Sequence, residues 1–291
     1  MNRSTGGSTP FDEYQTVLQS TEGERSAAAD GATSNGDGRR RWPAARPRPG
    51  GVACLLDHLP DLGDDLPDAQ VATARRVLTV PVIVLDTGRY DLDVGREDPR
   101  VTGRLFGILV IRGLLVREIH IAGQASIHLC GPGDLLGHQQ DVASSLPTDA
   151  TLTCPDSAGV AMLDDRAVTA MRHWPSITYR LFELMMQQLD QSQTSTAISG
   201  LSSVEARLLA LFWHLADRWG RRRADAVTID LPLTHEAVGQ LIGARRPTVS
   251  LGLRALDDEN LLHRDADGTW LLDPGSLQRL SVWQRSCLSR R

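Results

Sequence analysis

The chain has 291 residues. At roughly 150 residues per domain that allows about two domains, with a core that needs no disulfide or metal staples. Its 31 basic residues, all of them arginine, stand against 36 acidic ones and leave a formal charge of −5. That excludes a histone-like polycation while leaving room for a local basic face.

Cys54, Cys130, Cys154 and Cys287 lie far apart with no C-x-x-C pair. Neither a zinc ribbon nor a disulfide framework follows, and reduced thiols in a cytoplasmic protein are expected. The N-terminus lacks the apolar stretch of a secretory signal. The most apolar run, 105–116, is broken by Arg112 and too short for a bilayer, so no membrane partner is expected.

Residues 1–50 are rich in Gly, Ser, Thr, Ala, Pro and Arg without hydrophobic period, which predicts a disordered tail. Within it Arg39, Arg40, Arg41, Arg46 and Arg48 are read as a solvated charge run. From 51 to 165 short β-like runs at 80–85, 105–111 and 114–121 alternate with glycine-rich turns. With no long amphipathic helix between them, they predict an antiparallel sandwich or barrel.

Between 166 and 200 the texture becomes helical, with a run over 176–199 that meets no internal Gly or Pro. Ile177, Leu181, Leu184, Gln188, Gln191, Ser195 and Ile198 follow alternating four- and three-residue steps, a seam expected to meet the same helix of a second subunit. A second stripe of Phe182, Met185, Met186 and Leu189 is expected to pack on the β-domain. A further amphipathic helix runs through Trp219, closed by Arg221, Arg222 and Arg223, and a short strand is predicted at 227–231.

Residues 201–291 hold the informative motif. Thr234 is placed as an N-cap, with Val238, Leu241 and Ile242 forming an apolar helix face that Gly243 stops. Pro247 then sits in the first turn of a second helix, predicted over about 246–259, whose Val249, Leu253 and Leu256 face inward. Two helices across a tight glycine turn make a helix-turn-helix, whose second helix can enter the major groove of double-stranded DNA. Behind it, 262–264 and 270–272 around Asp267 and Gly268 read as a β-hairpin wing. Arg245, Arg246, Thr248 and Ser250 form the polar set at the groove-facing entry, joined by Thr234 and by Arg264 on the wing.

Gly239, Gly243, Arg246, Thr248 and Val249 match the G-x-x-x-G-x-x-R-x-T-V pattern of the Crp/Fnr superfamily of bacterial transcription regulators, which the chain resembles over roughly 52–280. The run from Gly131 through Asp134 to Gly137 is similar to the G-D-x-x-G turn of that family's sensor domain. The resemblance implies an α+β fold: an N-terminal antiparallel β-roll of the cyclic-nucleotide-binding kind, a long dimerisation helix and a C-terminal winged helix-turn-helix. It implies a homodimer on double-stranded DNA, and admits RNA polymerase as a further partner.

The departures are specific. His138 stands where the cyclic-nucleotide branch has the glutamate that takes the ribose, and no arginine occurs from 139 to 153 to clamp the cyclic phosphate. A buried phosphodiester without its cation is poorly compensated, so the usual cyclic-nucleotide mode is not expected. Cys54 alone stands where the iron–sulfur branch clusters its cysteines. Haem through His120, His128 or His138 is not favoured either, and no cofactor or metal is assigned. Pro247 and Leu251 replace two polar DNA-reading positions of the family, so its half-site sequences do not transfer. Two other classes compete with this one. A cupin-like β-barrel metalloenzyme would use the same three histidines but wants an H-x-H pair that is absent. A non-specific nucleoid-binding protein would want a broad basic surface.

Overall fold

The computed structural model describes residues 45–122, 124–137, 148–223 and 225–281. Cys287, His138 and the arginines at 39–41 lie outside them. The described chain falls into two compact units, one ending at Gln188 and one starting at Leu189.

In the first unit, strands β1 (Arg48–Cys54), β2 (Thr79–Leu85), β4 (Leu105–Arg112), β7 (Leu135–Gly137) and β9 (Ala158–Asp164) form one sheet in the order β1-β2-β9-β4-β7. A second sheet, in the order β3-β8-β5-β6, holds β3 (Gly88–Asp91), β5 (Leu115–Ile121), β6 (Gln124–Cys130) and β8 (Thr148–Cys154). Their strand pairs are all antiparallel.

The core lies between the sheets. Ile83, Ile108, Val160 and Met162 from the first meet Tyr90, Leu115, Cys130 and Leu152 from the second. The other face of the first sheet, with Val82, Leu109, Ile111 and Leu163, is covered by helices. These are α1 (Leu55–His58), α2 (Asp68–Val77), α3 (Asp165–Met171) and the start of α4 (Pro175–Ser199). A sheet covered on both faces needs continuous apolar runs rather than alternation. β9 is accordingly buried at all seven positions.

Three boundaries differ from the sequence reading. The tail expected over 1–50 is overrun by β1, which pairs Arg48 with Val84 and Cys54 with Thr79. Its Pro49, Gly50 and Gly51 read as breakers, but β1 is an edge strand, where a bulge between Pro49 and Val52 absorbs them. The β-like texture expected from 51 to 165 is interrupted by α1 and α2; α2 buries little beyond Ala74, so its sequence carries almost no apolar period. Arg221 and Arg222 do not close a helix. They lie in β10 (Gly220–Arg222), which pairs with β11 (Val227–Ile229).

The largest correction concerns the two faces of α4. Ile177 is wholly buried, and Leu181 and Leu184 pack against the same core. Gln188 accepts a hydrogen bond from the Leu135 amide and donates one to the Leu135 carbonyl, both at 3.1 Å, so it continues the β7 edge as a strand would. In the second unit Gln191 accepts from Arg218 at 3.3 Å, Ser195 lies 3.3 Å from His214 Nε2, and Ile198 is buried. The seam assigned to a second subunit thus faces its own chain. The stripe assigned to the β-domain is open: Phe182 is 60% exposed, Met185 46%, Met186 57% and Leu189 48%. Periodicity marks a stripe but not its partner. The amides in the seam's middle are there because backbone and side-chain groups of the same chain satisfy them.

The second unit packs α5 (Val204–Trp219), α6 (His235–Ile242) and α7 (Arg246–Asp258) beside the sheet β10-β11-β13-β12, with β12 at Leu262–Arg264 and β13 at Trp270–Leu272. Phe212 of α5 meets Trp270 of β13 at 4.5 Å between ring centroids. The strand predicted at 227–231 is shorter than expected, ending at Ile229.

Candidate nucleic-acid interface

The geometry of the second unit follows from a few local rules. Thr234 caps α6, its Oγ1 accepting from the Ala237 amide at 3.1 Å. Gly243 ends that helix in the left-handed region at φ 65°, where most side chains are strained. The Ala244 amide donates back to the Gly239 carbonyl at 2.8 Å. A Cβ on Gly239 would stand 2.5 Å from the Ala244 carbonyl oxygen, so glycine is required for the turn to close against the helix. Pro247 then occupies the first turn of α7, where its missing N–H costs little.

Helix α7 turns Val249, Gly252, Leu253 and Leu256 inward. Arg245, at the N-cap, and Arg246, Thr248 and Arg254 are exposed. Three cations therefore stand along the N-terminal and outward part of the helix, while Asp257 and Glu259 at its far end bind His263 at 2.7 Å and Arg279 at 3.0 Å. Such a helix is polarised: basic where it opens, acidic where it ends.

The sequence-selected residues do not all play alike. Arg245, Arg246 and Thr248 come together at the helix entry, open to solvent. Thr234 is used by the cap. Ser250 is half-buried; its hydroxyl donates to the Arg246 carbonyl at 3.1 Å and lies 2.8 Å from His235 Nδ1. Its position is structural, tying α7 to the start of α6. Arg264 on the wing lays its guanidinium 4.8 Å over the Trp270 ring and donates through Nε to the Gly268 carbonyl at 3.3 Å. Burial pulls its pKa down. The Asp267 and Gly268 turn of the wing forms as read, with Gly268 at φ 90° and the Asp265 amide donating to Thr269 at 2.8 Å.

Two residues of this surface escaped the sequence reading. His235 joins the two helices through Ser250, and its pKa is lowered first by burial and then by Arg264 and Arg246. Arg254 lies two turns along α7 from Pro247, on the same outward side. The i+7 spacing from Pro247 was legible; the contact of His235 was not, since it depends on two helices meeting.

In the roll, two of the three candidate histidines, His120 and His128, are described, and they do not face each other across the sheet. His120 pairs across the sheet with Ala125, whereas His128 pairs with Arg117. His120 Nε2 lies 3.4 Å from Glu118, which is also held by Arg89. Cys54, Cys130 and Cys154 are free thiols. Among the described residues no helix is long and apolar enough to cross a membrane.

A family model of the Crp-like helix-turn-helix domain matches residues 206–280. The CRP-like cAMP-activated global transcriptional regulator of Mycobacterium tuberculosis is 24% identical over 155 residues, which cover 52% of this chain and 67% of that protein. The regulatory protein CysR of Synechococcus elongatus is 27% identical over 142 residues, covering 48% of this chain and 62% of that one. Among solved structures, a CooA mutant from Carboxydothermus hydrogenoformans superposes with a TM-score of 0.57 at 15% identity, over 79% of this chain and 95% of its own. A cyclic nucleotide-binding domain containing protein from Listeria monocytogenes gives 0.56 at 13% identity, over 76% and 98%. At those identities the structures speak for the fold. The sequence relatives are regulators rather than enzymes, which decides against the cupin-like metalloenzyme. The chain thus carries a Crp-like helix-turn-helix domain at 206–280 and is similar in sequence and fold to Crp/Fnr transcription regulators.

Proposed function

We propose that the protein is a dimeric, sequence-specific DNA-binding regulator that lays α7 in the major groove. In this reading the roll begins with β1 and ends near 165, α4 is the dimerisation helix, and the winged helix follows from about 201. The observation that carries it is the exposed set Arg245, Arg246 and Thr248 at the opening of a capped, glycine-stopped helix pair. Arg246, in the first turn of α7, is the base-reading side chain: its fork fits guanine O6 and N7, a geometry lysine lacks. Arg245, outside the helix, takes a phosphate.

The dimer forms through the open side of α4. Tyr179, Phe182, Met186 and Leu189 recur at three- and four-residue steps and are each 48% exposed or more. That spacing is the a/d pattern of a two-stranded coiled coil. The Mycobacterium tuberculosis relative is described as cAMP-activated, but this chain has His138 and an arginine-free stretch from 139 to 153. Its effector is therefore not cyclic AMP held in the usual mode, and calorimetry with cyclic AMP at low micromolar concentration returns no heat of binding.

The DNA reading is tested with a randomised half-site library at two salt concentrations. Arg246→Ala costs roughly 1–3 kcal/mol and relaxes preference at one base pair per half-site. Arg245→Ala weakens all sequences about equally and lowers the salt slope by about one. Equal retention on random DNA would make the protein a non-specific nucleoid binder instead, and no effect of either mutation would remove DNA from the account.

A further inference from the structure

Resting on that reading, we infer that Leu251, with Pro247 beside it, is a specificity residue that recognises the C5 methyl group of a pyrimidine in the major groove.

Three observations carry this. Leu251 is 69% exposed, in the middle of the helix whose inward side is closed by Val249, Leu253 and Leu256. Steps of four and three residues put Pro247, Leu251 and Arg254 on one side of α7, opposite that core. Leu251 and Pro247, together with Ser250 and Arg254, line the α7 side of an open cleft whose other wall is Arg264 and Trp270 of the wing. The apolar spot is thus no stray surface leucine but the exposed edge of a largely apolar cleft. Along the helix Arg246 stands before it and Arg254 after it, both exposed.

The charge pattern selects the occupant. Arginines on both sides draw a polyanion towards the helix, and a duplex so placed brings the floor of its major groove against the helix centre. On that floor nearly every group is a hydrogen-bond donor or acceptor, which an isobutyl group would leave unpaired. The exception is the C5 methyl of thymine, for which apolar side chains are the matching partner. The same methyl is presented by 5-methylcytosine, so the shared chemistry is a 5-methylpyrimidine. The rigid Pro247 ring, one turn earlier, narrows the space so that the methyl is enclosed from two sides.

The test starts from the sequence the protein selects out of a randomised library. Each thymine of the selected half-site is replaced in turn by deoxyuridine, which removes the methyl and keeps every hydrogen bond. At one position affinity falls about fourfold, the worth of one buried methyl, and roughly fifteenfold when both half-sites of a dimer are changed. At that position cytosine and 5-methylcytosine are then compared: a gain on methylation shows that the methyl is read on either base, and a gain for thymine alone makes thymine the source. Leu251→Ala abolishes the uridine penalty. Alanine is the better helix former at this exposed site, so the variant keeps its fold.

The inference is overturned if uridine is neutral at every thymine of the selected site, or if the penalty survives undiminished in Leu251→Ala. Both results leave sequence-specific binding standing. Failure of the library to select any sequence overturns that binding, and this inference with it.

Discussion

The two units handle polar and apolar groups in opposite ways. The first, ending at Gln188, buries charge: Glu118 is 6% exposed, Asp134 4% and Asp164 1%. Glu118 and Asp164 each have more than one partner, and Asp134 accepts from the Gly131 amide at 2.8 Å. Glu118 accepts from Arg89 at 3.1 Å and from Thr153 at 2.9 Å, and Asp164 accepts from the Thr102 and Ala167 amides at 2.8 and 3.0 Å. Meanwhile it leaves Tyr179, Phe182, Met185 and Met186 in solvent. In the second unit the buried polar side chains among the described residues are the neutral Thr228 and Ser276, and the arginines of α7 face out. The second unit closes its core alone and displays its charge. The first depends on internal ion pairing and on a surface that water covers poorly, and it is therefore the unit more easily broken by one substitution.

The largest effect should come from the open face of α4. Charging Phe182 and Met186 to Asp removes two apolar side chains from each of two subunits, roughly 6–12 kcal/mol of association at 1.5–3 kcal/mol each. Sedimentation should show monomers whose melting is otherwise intact. The same change at Leu181 and Leu184, which pack on the core, should unfold the roll instead. If the Leu181 and Leu184 variant stays folded and becomes monomeric, the faces have been assigned the wrong way round.

Next comes Glu118→Ala. It removes the buried carboxylate to which Arg89, with its side chain 15% exposed, and Thr153 both donate, with a cost of about 3 kcal/mol in urea unfolding. The matched change in the other unit is Asp257→Ala. That ion pair with His263 has both side chains 53% exposed, so the cost stays within about 0.5 kcal/mol. Equal losses would erase the contrast between the units. Thr234→Ala, which uncaps α6, lies between at about 1 kcal/mol and should appear in the second unit alone.

How far the sequence discloses all this depends on the range of the interaction. Thr234, Gly243, Pro247 and the wing turn act within a few residues, and each was legible because its chemistry is local. The helix at 175–199 was legible from period alone, but its two faces were exchanged. Nothing in a stripe of Leu and Gln says that the Leu135 backbone awaits it 53 residues away. The pairing of Glu118 with Arg89 joins two strands that are not neighbours in the sheet, and no pattern announces it. The same holds at the interface. Arg245 and Arg246 follow from their place at a helix entry, whereas His235 acquires its role only when α6 meets α7.

The smallest effect is one of pH, and it separates the units by direction. His214 and His235 in the second unit both have lowered pKa values, first because they are buried. Arg264 and Arg246 lower His235 further; for His214, Arg218 lowers and Asp217 opposes. In the fold both rings stay neutral where an unfolded histidine, near 6.5, takes up a proton. Below that pH the unfolded state binds more protons than the folded one, so stability present at pH 7.5 is lost as the pH falls through about 6.5 towards the lowered folded values. The first unit is weak on the other side. Burial raises the Cys154 thiol to about 11 and the Tyr90 phenol to about 12. These groups keep their protons in the fold where an unfolded thiol releases its own above about 8.5, so stability falls as the pH rises past that value. On the acid side the pairing with Arg100 holds Asp98 below its ordinary range, and that contribution disappears only as the pH drops below about 4. Peptide-resolved hydrogen exchange, corrected for intrinsic rates, should show the winged helix opening first at pH 5.5 and the roll first at pH 9.5. His235→Gln should remove part of the acid sensitivity and leave the alkaline branch untouched; a change in the alkaline branch would mean that the two units do not unfold independently.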